Sequence, residues 1–79
     1  MDPHRLDLRG LKCPLPALHT RRALERAAAG VSFEVVCTDP MAVIDIPHLV
    51  RQMGASLESS ERREEDGRVV LLFRIRAAG

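Results

Sequence analysis

Two stretches of helical spacing interrupt three stretches of strand alternation in this chain, and that interleaving constrains the fold more than any other feature. A helix between two strands forbids a tight hairpin, so each such connection must be a crossover. The residues from Pro14 to about Ala29 favour helix. Ala17, Thr20, Leu24 and Ala27 recur on one face, with Arg21, Arg22, Glu25 and Arg26 mostly elsewhere. In the second helix Ile46, Leu49, Val50 and Met53 fall at i, i+3, i+4 and i+7. Asp39 and Asp45 read as its candidate caps, and Pro40 and Pro47 as first-turn residues. Gly30 and Gly54 read as the stops of the two helices.

The strands show period-two alternation. His4, Leu6 and Leu8 face one way, opposite Arg5, Asp7 and Arg9, and Gly10 then permits a turn. In Val31 to Thr38, the residues Val31, Phe33, Val35 and Cys37 share one face. Ser56 to Arg63 is poor in apolar residues and reads as an exposed or edge strand. Asp66-Gly67 is a strong hairpin turn, and it leads into Val69 to Ile75 with Val69, Leu71, Phe73 and Ile75 on one side. The expected fold is α+β, a two-layer α/β sandwich of order β-α-β-α-β-β. Its two helices pack on one face of a four-stranded mixed sheet.

Seventy-nine residues amount to one small domain, residues 1–79, near the size at which a single core only just suffices. The formal charge of +1, from 12 basic and 11 acidic residues, gives no electrostatic case for a nucleic acid or a membrane surface. There is neither an apolar run of membrane-spanning length nor a signal-peptide pattern, so a cytoplasmic location is expected. In that reducing compartment the two cysteines are expected to be free thiols.

The chemistry converges on Cys13, in Gly10-Leu11-Lys12-Cys13-Pro14-Leu15-Pro16. With Cys13 as the residue entering the helix, Pro14 occupies the first helical position, where its missing N–H is no loss. Pro16 stiffens the same turn. The sulfur then stands at the positive end of the helix dipole and can accept the Leu15 N–H, with Lys12 and Arg9 close by. These influences predict an exposed thiol with a depressed pKa. The competing reading is a small, inert filler at a loop–helix junction. His19 lies six residues on and on another helix face, so it supplies no base, and no cysteine stands at Pro16 to make a redox pair. Cys13, Cys37 and three scattered histidines offer no metal-site pattern, and no cofactor is called for. A nucleophilic thiol without a general base suits attack on sulfur, or carrying sulfur as a persulfide.

These residues resemble the TusA/SirA family of small sulfur-carrier proteins. The likeness rests on Leu6-Asp7-Leu8-Arg9-Gly10-Leu11-Lys12-Cys13-Pro14-Leu15-Pro16, on Thr38-Asp39-Pro40 and on Asp45-Ile46-Pro47. The resemblance implies that Cys13 carries a persulfide, with Pro14, Pro16, Arg9 and Gly10 shaping its surroundings. It implies a cysteine desulfurase or rhodanese-like protein as donor and another sulfur-relay protein as acceptor. Such a protein is a sulfurtransferase-like carrier more than a turnover enzyme. One position departs from the pattern. In the branch associated with tRNA thiolation an acidic residue stands between the prolines, and here it is Leu15. General sulfur trafficking, sulfur oxidation and molybdenum-cofactor supply therefore stay open.

Other residues have plainer readings beside their functional ones. Arg9 could steady an anionic persulfide or meet an acidic partner, but with Asp7 it reads first as a solvated strand-end charge. Cys37 reads as a core cysteine, and its alternative is a bridge to Cys13 in a redox or regulatory protein. The Arg21, Arg22 and Arg26 cluster reads as the wet face of a helix. An RNA-binding module is the remaining alternative. It is disfavoured by the absence of Trp and Tyr, by two core-facing Phe residues and by the balanced charge.

Overall fold

The computed structural model describes residues 4–78. Four strands and two helices follow one another as β1 (His4–Leu8), α1 (Leu15–Arg26), β2 (Ser32–Cys37), α2 (Ala42–Gln52), β3 (Ser56–Glu65) and β4 (Arg68–Arg76). They form one four-stranded sheet of spatial order β1-β2-β4-β3. β1 pairs with β2 in parallel across the α1 crossover, while β2–β4 and β3–β4 are antiparallel. The two-layer mixed-sheet architecture read from the alternation is the observed one.

The inward residues of every layer meet in one core. Leu8 of β1, Phe33, Val35 and Cys37 of β2, and Leu71, Phe73 and Ile75 of β4 pack with Leu24 of α1 and with Ala42, Ile46 and Val50 of α2. Val35, Cys37, Ile46 and Ile75 are wholly buried. Thr20, also buried, donates its hydroxyl to the Pro16 carbonyl one turn back at 2.8 Å, so the polar group brings no unmet partner into the core. The hairpin turn has both central residues in the left-handed region, Asp66 at φ 52° and Gly67 at φ 76°, the geometry a two-residue turn needs to match strand twist. β3 is exposed along its whole length and lies at the sheet edge, where its charged residues discourage pairing with another chain.

Local boundaries differ from the pattern-based expectation at three places. α1 stops at Arg26, three residues before Ala29, because Ala27 is already extended at ψ 140°. Beyond it the chain is claimed by the sheet: Gly30 N–H donates to the Ala77 carbonyl and Ala77 N–H donates to the Val31 carbonyl. Gly30 is thus the turn residue before β2 and not the helix cap. At the other end, α1 begins at Leu15, so Pro14 is the residue before the helix and Pro16 its second residue. Pro47 lies inside α2 beyond the first turn. There it has no N–H to donate to the carbonyl of Val43, and its ring crowds that carbonyl. Gly54 does end α2, with its N–H and that of Ala55 bonded back to Arg51 and Val50.

Ile46 is the side chain on which α2 seats against the sheet. Ile46→Ala is expected to lower stability by about 3 kcal/mol in urea unfolding, whereas Leu57→Ala on the exposed edge strand changes it by well under about 1 kcal/mol.

Candidate functional site

The parallel pairing of β1 and β2 brings the loop after each strand to the same end of the sheet. The loop Arg9 to Pro14 follows β1, and the loop Thr38 to Met41 follows β2. Gly10 turns the first loop at φ 85°, a conformation that side-chain-bearing residues adopt rarely. Its N–H donates to Thr38 Oγ1 at 2.9 Å. A second tie follows three residues later, where Cys13 N–H donates to Asp39 Oδ2. Asp39 is anchored in turn by accepting the Met41 N–H on its other oxygen at 3.0 Å. The loops enclose a shallow groove lined by Gly10, Leu11, Lys12, Cys13, Thr38, Asp39 and Met41.

Cys13 is exposed, with a free thiol. Its Sγ lies 3.2 Å from Asp45 Oδ2 and donates to it. The thiol is pushed above its ordinary range, first by the hydrogen bond it donates to Asp45, then by desolvation and by the negative charges of Asp45 and Asp39. This reverses the depressed pKa expected from position. A helix mouth supplies about half a positive charge, whereas two full negative charges face the sulfur, one in direct hydrogen bond. The carboxylates win. The expected Leu15 contact is also absent, because Leu15 N–H closes a turn onto the Lys12 carbonyl at 2.9 Å. Nor does α1 have a side-chain cap.

Arg9 does not turn toward the thiol. It forms a two-pronged pair with Asp7 at 2.8 and 2.7 Å and reaches Glu65 at 3.6 Å. Held in this way, the Asp7 carboxyl titrates down at about 2. The structure therefore brings Cys13 and Gly10 together around the groove, with Pro14 next in the chain, while Arg9 braces the end of β1 against the hairpin. Pro16 is buried beneath the first turn of α1.

Asp45 and Asp39 were expected as caps of the second helix. Asp39 does satisfy a backbone donor at its start, but Asp45, on the first turn of α2, serves the thiol. The spacing along one helix hides this role, which appears only when a parallel crossover sets the β2–α2 loop beside the β1–α1 loop. Also outside the helical core pattern are Leu15 and Leu18 on α1 and Met41, Val43 and Ile44 at the start of α2, all large apolar side chains left exposed. Cys37 sits in the core, where burial, with a smaller contribution from Asp39, pushes its thiol up to about 11. Among the described residues no cluster of three His, Cys, Asp or Glu side chains could hold a metal.

Comparison with known proteins places this architecture. The family model of sulfurtransferase TusA matches residues 4–75. The chain belongs to the TusA family. Within it, the chain is 36% identical over 69 residues to the sulfur carrier protein TusA of Allochromatium vinosum, covering 87% of this chain and 88% of that one. It is 38% identical over 61 residues to a candidate sulfur carrier of Archaeoglobus fulgidus, across 77% of this chain and 79% of the other. The crystal structure of a SirA-like protein from Desulfitobacterium hafniense superposes with a TM-score of 0.69 at 26% identity, covering 95% and 97% of the two chains. The TusA/SirA likeness and the fold expected from it are thereby established.

The carboxylate-facing thiol has a direct signature. The pH midpoint of Cys13 alkylation by iodoacetamide is expected above that of an unperturbed cysteine, about 8.5, and not below it.

Proposed function

We propose that this chain is a sulfur carrier, a single domain that accepts sulfur as a persulfide on Cys13 and hands it to another protein. The observation that carries the reading is the exposed Cys13 thiol, tied by its backbone to the neighbouring loop and sharing a groove with the exposed side chain of Met41. None of the three histidines is a hydrogen-bond partner of its sulfur among the described residues. Sulfur exchange has little need of such a base. Cys13 Sγ attacks the terminal sulfur of a donor persulfide, a new S–S bond forms, and the donor's own S–S bond breaks. The donor cysteine departs as a thiolate and takes up the proton that the Cys13 thiol releases. The sulfane sulfur keeps its oxidation state, and no external oxidant or reductant enters.

A cysteine desulfurase or a rhodanese-like protein is the donor class in this reading, and a sulfur-relay protein carrying a reactive cysteine is the acceptor. Leu15, Leu18, Met41, Val43 and Ile44 would lie under such partners, with Leu15 giving an apolar contact where the tRNA-thiolation branch has an acid. Arg9 and Gly10, with Pro14 and Pro16, act by shaping the loop. No helix among the described residues is long and apolar enough to cross a membrane, and the cytoplasm, where free thiols persist, is the proposed place of work.

Two alternatives are weaker on specific grounds. A Cys13–Cys37 redox bridge would require drawing a wholly buried side chain out of the core. RNA binding lacks stacking platforms, since both Phe33 and Phe73 are buried and the chain has no other large aromatic residue.

Incubation with a cysteine desulfurase and cysteine is expected to add about 32 Da, one sulfur atom, to the wild-type chain, reversibly on reduction. Cys37→Ser is expected to load as the wild type does and Cys13→Ser not at all. Equal loading of Cys13→Ser would refute the assignment.

A further inference from the structure

We propose that Asp45, backed by Asp39, biases Cys13 toward giving its sulfur up: the carboxylate holds the unloaded thiol by a hydrogen bond and repels the anionic terminal sulfur of the loaded form. The proposal rests on the sulfur-carrier reading and adds to it a direction for transfer. Its basis is geometric. Asp45 Oδ2 stands 3.2 Å from Cys13 Sγ. The thiol cannot simply swing away with its backbone, because Cys13 N–H is bound to Asp39 Oδ2. Asp39 is itself pinned through its second oxygen to the Met41 N–H. Two negative charges therefore face one sulfur, from α2 and from the loop before it.

The two states of Cys13 meet this pair differently. The free thiol has a proton to donate, and Asp45 accepts it. A persulfide ionises well below a thiol, so at neutral pH the loaded residue ends in an anionic sulfur with no proton to offer. Loading exchanges a hydrogen bond for a like-charge contact, and unloading restores the bond. In the forward step Cys13 Sγ bonds to the sulfane sulfur and the donor's S–S bond breaks. In the return step an acceptor thiolate attacks that sulfane sulfur, the Cys13 S–S bond breaks, and Cys13 leaves as a thiolate that is reprotonated from solvent and again donates to Asp45. Asp45 acts through its contact with Cys13 Sγ, as a positioning residue, and it shifts the equilibrium of the exchange.

The pH dependence follows from the groups that face the sulfur. Asp45 and Asp39 are the carboxylates acting on it, and Lys12 is its chain neighbour. The bias is complete while the free thiol is protonated. It fades as pH rises through the Cys13 thiol, whose ionisation removes the donated proton.

The test equilibrates the full chain with the glutathione persulfide/glutathione pair and reads the loaded fraction by intact mass, alongside a pH titration of alkylation. Asp45→Asn is expected to raise the loading equilibrium constant at pH 7 about threefold, the scale of an exposed charge contact. It should also move the alkylation midpoint down. Asp45→Glu should retain the wild-type bias in part, and Glu25→Gln, far along α1, should alter neither readout. The gap between wild type and Asp45→Asn should narrow as pH rises through the Cys13 thiol. An unchanged or lowered loading constant in Asp45→Asn, with wild-type circular dichroism, overturns the proposal. If Asp45→Asn is misfolded, a wild-type alkylation midpoint at or below that of an ordinary thiol overturns it. Failure of the wild type itself to take up sulfur would fall on the sulfur-carrier reading instead.

Discussion

The parallel pairing of β1 with β2, in register from His4 opposite Phe33 to Leu8 opposite Cys37, is the constraint on which the site depends. Strands that run the same way end at the same edge, so the loops that follow them become neighbours although nearly 30 residues separate them, as in the Gly10–Thr38 contact. Two hydrogen bonds convert that proximity into a fixed arrangement, from Gly10 N–H to Thr38 Oγ1 and from Cys13 N–H to Asp39. Both helices begin at this edge as well. The start of α1 carries Cys13 just outside it, and the first turn of α2 carries Asp45 toward the sulfur.

The electrostatics of the sulfur show why position on a helix is an incomplete guide to thiol chemistry. A dipole at a helix mouth acts through partial charge and is readily outweighed by a carboxylate in hydrogen-bond contact. The same thiol would be more acidic without Asp45. Its exposure and its protonated resting state are compatible with one another. Met41, an exposed apolar side chain, lines the same groove as the thiol.

Much of the fold was legible because its information is local. Alternation in His4 to Leu8 and in Val69 to Ile75, the Asp66-Gly67 turn and the Ile46, Leu49, Val50 face each declare an element within a few residues. Helix ends were less legible, since the end of α1 is set by a backbone exchange with Ala77 just past the last strand, some 50 residues away. Cys13 could be singled out from its neighbours. The environment of its sulfur could not, because Asp39 and Asp45 reach it only through the tertiary arrangement. Seen along the chain, an acid before or within a helix start is a cap. Arg9, near Cys13 along the chain, has its guanidinium held by Asp7 and Glu65, in keeping with a strand-end charge.

The central claim is that sulfur resides on the one exposed thiol that the β1 and β2 loops hold in place. It is tested most directly by isolating the protein from its own cells with thiols trapped at lysis and no reductant, then mapping its peptides by mass spectrometry. The account predicts a population carrying one extra sulfur atom on the peptide that contains Cys13, with Cys37 unmodified. Sulfur found on Cys37, or none on Cys13 while the cell's other persulfide proteins remain loaded, would contradict it.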